Sequence, residues 1–190
     1  MSNVIAVHGS FGKATDNWFP WLKGPWPDQV VCVPQFPVGL DKQSFDTWES
    51  HLHHNCTINE DTILIGNCAG ASFICKYLTR YRLKVSKLIF VSGFNNYYGT
   101  NEEHNNANAN FFVDDEQLAN VKHYANEIFC LYGDNDPYIP FDVLQSFSKS
   151  IGAVCVVIPN GGHLDGGSLP QLLPLMAQYP SEHFVSFMKA

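Results

Sequence analysis

Six short apolar runs, each rich in β-branched residues and most set apart by a helix-length stretch, are what most restricts the folds open to this chain. They are Asn3 to Val7, Val30 to Val33, Thr62 to Ile65, Lys87 to Val91, Glu127 to Tyr132 and Ala153 to Ile158. A continuous apolar run without alternation is the mark of a strand buried on both faces. The stretches Trp18 to Lys23, Ser44 to His54, Ala71 to Tyr81, Glu116 to Tyr124, Phe141 to Ser150 and Leu169 to Gln178 have helical character. Strand and helix in alternation predict an α/β architecture, a mostly parallel six-stranded sheet with helices on both faces. In such a sheet the loops after the carboxyl ends of the strands build the site. With no repeat and no linker, residues 1–190 read as one domain.

One segment breaks the rhythm. Residues 95–110 are crowded with asparagine and carry Tyr97, Tyr98, Glu102, Glu103 and His104, which reads as a loop, either a lid over a site or a solvated insertion. Elsewhere 45% hydrophobic and 15% charged residues provide a large core. A formal charge of -7 argues against nucleic acid or an anionic membrane as partner and is compatible with a small uncharged substrate. The chain enters a strand at Val4 without a basic leader, and no apolar run nears the ~18 residues of a membrane span. Cys32, Cys130 and Cys155 lie inside strand-like runs and no C-x-x-C pair is present, so the six cysteines read as reduced thiols in a cytoplasmic protein. The tract His51, His53, His54 lacks supporting ligands beyond Asp46 and Glu49 and reads as a solvated helix end, so neither a metal nor a cofactor is expected.

Four glycine-marked motifs fall at four strand ends. His8-Gly9-Ser10-Phe11-Gly12 follows the first strand, where the Ser10 N–H, or Phe11 as a fallback, is placed to hold an oxyanion. Gly66-Asn67-Cys68-Ala69-Gly70 follows the third and opens a helix, the setting of a nucleophile elbow with a cysteine at its apex. There the helix N-terminus favours a thiolate, and the Ala69 N–H supplies a second oxyanion donor. Gly133-Asp134-Asn135-Asp136-Pro137 offers two carboxylates, and Asn160-Gly161-Gly162-His163 carries a histidine after the last strand. Nucleophile, acid and histidine in that chain order fit a triad in which the acid orients the ring. Each also has a plainer reading: a buried thiol, an Asp-Pro turn, a surface histidine in a glycine turn. His8, Phe11, Asn67 and Trp18 are further candidates for the pocket wall, although an amphipathic helix buries its aromatics in any case.

With these motifs the chain resembles the small YdeN-like, retinoblastoma-binding-protein-type serine hydrolases of the α/β-hydrolase superfamily. The likeness extends to Asn17 to Leu22, Pro34 to Pro37, Trp48, Leu52 and Leu169 to Leu173. It singles out Asp136 over Asp134, because Asp136-Pro137-Tyr138-Ile139-Pro140 and Gly161-Gly162-His163 match the family's acid and base loops. The resemblance implies a compact α/β-hydrolase fold and hydrolysis of a small ester or thioester through Cys68, His163 and Asp136. The family's elbow usually reads G-H-S-x-G, whereas this chain has Asn67 and Cys68. That departure leaves three readings open: a native thiol nucleophile, a serine hydrolase whose nucleophile has been replaced, and a binding protein that keeps the fold without turnover. The motif L-x-C-x-E is absent, so no retinoblastoma-type partner is carried over.

Overall fold

A computed structural model describes residues 3–25, 30–99 and 101–177. Six parallel strands form one sheet: β1 (Asn3–Val7), β2 (Val30–Cys32), β3 (Ile63–Asn67), β4 (Val85–Val91), β5 (Ala125–Gly133) and β6 (Val154–Ile158). The order is β2-β1-β3-β4-β5-β6, with Val4 beside Ile63 and Val31, and Ile65 beside Ile89. The chain therefore reverses direction across the sheet at β1, and the crevice between the carboxyl ends of β1 and β3 is where such sheets place a ligand.

Alternate residues of each strand feed two cores. Ile5, Val7, Leu64, Leu88 and Phe90 meet α2 (Phe45–Asn55), α3 (Ala69–Tyr81) and α6 (Phe141–Ser150). Val4, Ala6, Ile65, Ile89 and Leu131 meet α1 (Phe19–Leu22) and α7 (Leu172–Met176). Trp48 lies at the centre of the first core, fully buried, its indole N–H donating to the Pro37 carbonyl at 2.7 Å. Its ring packs on Phe36, Phe73 and Phe111. Trp48→Ala should cost about 3–5 kcal/mol, measured by urea denaturation, because so large a void does not refill.

The sequence-based expectation fails most clearly in the asparagine-rich segment, which is not simply a loop. It contains helix α4 (Glu102–Ala109), capped by the Asn101 side chain accepting from the His104 N–H at 3.1 Å. Only Ala107 and Asn108 of α4 are buried, so no apolar period marks it. The asparagines are structural: Asn95 exchanges two hydrogen bonds with the Val113 backbone, Asn105 accepts from the Tyr98 N–H, and Asn110 accepts from the Phe45 N–H. The helical stretch from Glu116 resolves into α5 (Asp115–Asn120) and a 3-10 turn over Val121–His123, and the last helix spans only Leu172–Met176, Gln178 lying outside the described residues.

His53 of the histidine tract bonds the Tyr77 hydroxyl at 2.7 Å, and among the described residues no group of three or more metal-ligating side chains forms. No helix among the described residues is long and apolar enough to cross a membrane. The six cysteines are unpaired, although the Cys32 and Cys56 sulfurs lie 3.0 Å apart where β2 ends beside the end of α2.

Candidate active site

The turn between β3 and α3 aims Cys68 outward by a local constraint. Its backbone takes φ 52 and ψ -122, a conformation L side chains rarely adopt, and such strain of roughly 1–3 kcal/mol persists only where the surroundings enforce it. Here the Cys68 N–H donates to the Val91 carbonyl at 2.9 Å, and the Ala71 N–H returns to the Cys68 carbonyl at 3.0 Å. The flanking glycines allow the close approach. A Cβ on Gly66 would stand 2.8 Å from Ala71 N, and one on Gly70 would stand 2.5 Å from the Val7 carbonyl oxygen. Because backbone, not a flexible side chain, blocks that space, Gly70→Ala should destabilise the fold by about 1–3 kcal/mol in urea denaturation and displace the elbow.

The loops after β5 and β6 lock together around a histidine. Asp134 accepts from the Asn160 N–H and Asn135 from the Gly162 N–H, both at 2.8 Å. Asp136 instead meets the ring: His163 Nδ1 donates to Asp136 Oδ2 at 2.7 Å, while Oδ1 accepts from the Tyr138 and Ile139 N–H groups at 2.9 and 3.0 Å. The histidine loop is also held from behind. Ser92 donates its hydroxyl to the His163 carbonyl at 3.2 Å, and Trp18 donates its indole N–H to the Leu164 carbonyl at 3.0 Å.

Electrostatics follow from this packing. Burial opposes charge on His163, yet its hydrogen bonds to Asp136 and Cys68, with the charges of both, raise the ring's pKa to about 10. Burial likewise works against ionised Asp136, but the His163 bond and charge and the two backbone N–H groups outweigh it and hold the carboxyl below its ordinary value. Burial, with the charges of Cys68 and Asp136, pushes the Tyr98 phenol up, so that ring presents a neutral hydroxyl.

A cavity of about 570 Å³ opens over Cys68 and His163, walled by Phe19, Tyr98, His104 and Tyr138, with Tyr138 edge-on to the His163 ring at 5.1 Å. Ser10 and Asn67 also line it. Among the described residues the Ser10 and Ala69 N–H groups have no protein hydrogen-bond partner, whereas the Phe11 N–H donates to Gln43 Oε1 at 3.3 Å. His8 touches the cavity but is a buried scaffold: Nε2 accepts from the Phe36 N–H at 3.0 Å, so the proton sits on Nδ1 and donates to the Gly9 carbonyl at 2.8 Å. Desolvation lowers its pKa and keeps that ring neutral.

Two expected wall residues lie elsewhere. Trp18 is fully buried behind the histidine loop, its neighbour Phe19 facing the cavity instead, and Phe11 turns its ring 5.0 Å from His104 of α4. Ser92 and Gln43 carry no local sequence signal, whereas Tyr138 lies within the acid-loop motif and Tyr98 falls in the segment 95–110 that the rhythm of the chain sets apart.

An open parallel sheet with an elbow, an acid loop and a histidine loop at three strand ends defines the α/β-hydrolase class. The chain belongs to the serine hydrolase family, whose sequence pattern matches residues 4–178. It is 26% identical over 187 residues to the putative hydrolase YdeN of Bacillus subtilis, covering 94% of this chain and 96% of that one. It is 20% identical over 173 residues to the serine hydrolase RBBP9 of Rattus norvegicus, covering 90% of each. The crystal structure of the B. subtilis ydeN product superposes with a TM-score of 0.77 at 21% identity over the whole of both chains. The fold is also shared with Est1E of Butyrivibrio proteoclasticus bound to ferulic acid, at TM-score 0.67, 12% identity, and coverage of 100% and 90%.

Proposed function

We propose that this hydrolase cleaves small uncharged esters or thioesters through a Cys68 nucleophile, with His163 as acid and base and Asp136 as the group that orients it. The observation that carries the reading is a single ring, His163, held by the Asp136 carboxylate at 2.7 Å in the same cavity that the Cys68 thiol lines from the strained elbow. A ring whose pKa is raised to about 10 favours the imidazolium, the form that supports a thiolate nucleophile beside it. The thiolate sulfur then attacks the substrate carbonyl. Negative charge collects on the carbonyl oxygen between the Ser10 and Ala69 N–H groups, and the imidazolium proton passes to the leaving oxygen or sulfur as the acyl–sulfur bond is completed. Neutral His163 next takes a proton from water, which attacks the thioester and frees the acid and the thiolate. Alcohol and thiol leaving groups suit a thiolate nucleophile better than amines, which need fuller protonation before they depart.

Aromatic walls, and lining charges of both signs with Lys13 and the His163 ring set against Asp16 and Asp165, favour a neutral substrate. The unpaired cysteines fit a reducing, cytoplasmic setting. The reading is tested with short p-nitrophenyl esters: the wild type should release p-nitrophenol, Cys68→Ala should not, and equal rates would remove the elbow from the mechanism.

The ion pair of His163 and Asp136 couples the site to stability. A ring whose pKa rises from 6.5 to about 10 on folding contributes stabilisation that is complete below pH 6.5 and is lost as pH climbs through 10. Asp136, lowered from 3.8, contributes above that value and loses its share as pH falls below it. Between them these groups favour the window from about pH 4 to 6.5. Urea midpoints should therefore decline from pH 7 to 10 in the wild type and decline less in His163→Ala.

A further inference from the structure

We infer that Gln43 is a positioning residue for the oxyanion loop, latching helix α4 to it through Asn108; the inference rests on the acyl-transfer reading above. Gln43 sits in the polar turn before α2 yet is only 3% exposed, and Asn108 only 1%. The Gln43 amide joins three segments. Its Oε1 accepts from the Phe11 N–H at 3.3 Å, and its Nε2 donates to Ser10 Oγ at 3.2 Å, Asn108 Oδ1 at 3.1 Å and the Ala107 carbonyl at 3.3 Å. The Ser10 hydroxyl in turn donates to Asn108 Oδ1. A backbone N–H can only donate, which fixes the amide with its oxygen towards Phe11.

The consequence concerns which backbone N–H remains for chemistry. Phe11 holds φ 56, a left-handed conformation, while its N–H is occupied by Gln43. Ser10, one residue earlier, lines the cavity beside Cys68 with its own N–H unpartnered among the described residues. Gln43 thus removes the competing donor and pins both neighbours of the remaining one, and a donor fixed in advance stabilises developing charge without reorganising. Buried amides at both ends of the latch make it costly to open halfway, because each would leave unpaired groups.

The test compares two reactions of the same sulfur. Hydrolysis of p-nitrophenyl acetate passes through an oxyanion, whereas alkylation by iodoacetamide is a displacement at carbon in which no such oxygen develops. In Gln43→Met, kcat should fall ~10- to 100-fold, somewhat less than for outright removal of a donor, with KM changed by under about threefold. The alkylation rate of Cys68, followed by mass spectrometry, should stay within about twofold of wild type, because the displacement makes no use of the donor. Asn108→Leu, which cuts the far end of the latch, should show the same split if Gln43→Met does not fold. Unchanged kcat in either folded variant, or hydrolysis and alkylation falling together, overturns the inference. A wild type that alkylates at Cys68 but hydrolyses no ester would instead reject the acyl-transfer reading on which it rests.

Discussion

Cys68→Ala is expected to lower kcat on p-nitrophenyl esters by at least ~10³-fold while leaving the fold intact, since the change removes a single sulfur atom at a position that lines the cavity. The remaining rate would come from substrate binding and the backbone donors alone. Cys68→Ser separates the readings that the elbow leaves open. If the thiol is the working nucleophile, the serine variant loses activity, because a hydroxyl is a far weaker acid than a thiol and must be deprotonated during attack. A serine variant that gains activity would identify Cys68 as a replaced serine. Inactivity of both forms, with Cys68 also inert to alkylation, would favour a protein that binds without turnover.

Asp136→Asn should be nearly as damaging, by about 10³- to 10⁴-fold in kcat, with little loss of secondary structure. The carboxylate does two things at once: Oδ2 fixes the ring through Nδ1, and Oδ1 ties down the Tyr138 and Ile139 backbone. An amide can keep the second role while losing the charge that supports the imidazolium. The His163 pKa should therefore fall, and iodoacetamide labelling of Cys68 at pH 7 should slow in parallel with hydrolysis. Asp134→Asn is the control, because Asp134 bonds the Asn160 N–H and not the ring. Equal losses for the two variants would mean that the loop, not the carboxylate at position 136, sets the rate.

The strands were legible because their runs are mostly apolar without alternation, and runs such as Ile63 to Ile65 or Leu88 to Val91 admit few other structures. The loops of the candidate site were legible for a related reason. Glycines at 66, 70 and 133 mark where backbone must pass close to backbone, Gly162 takes a positive φ, and all lie at the carboxyl end of the sheet. Helix α4 was not legible, because it is held by asparagine side chains at its cap and flanks and buries only Ala107 and Asn108. Gln43 gave no sign for a similar reason: within Asp41-Lys42-Gln43-Ser44 nothing local distinguishes a buried latch from a solvated turn. Trp18 shows the limit of reading faces from one helix. Aromatic neighbours 18 and 19 divide between loop support and cavity wall, a choice made by the Leu164 carbonyl 146 residues away.

The central claim is that the sulfur of Cys68 becomes acylated, and trapping that bond tests it most directly. Wild-type protein mixed with excess p-nitrophenyl acetate and quenched in acid should show a burst of about one p-nitrophenol per chain, with intact and peptide mass spectrometry placing one acetyl group on Cys68 as a thioester. Persistent turnover with no adduct at Cys68, or the same turnover in Cys68→Ala, would contradict it.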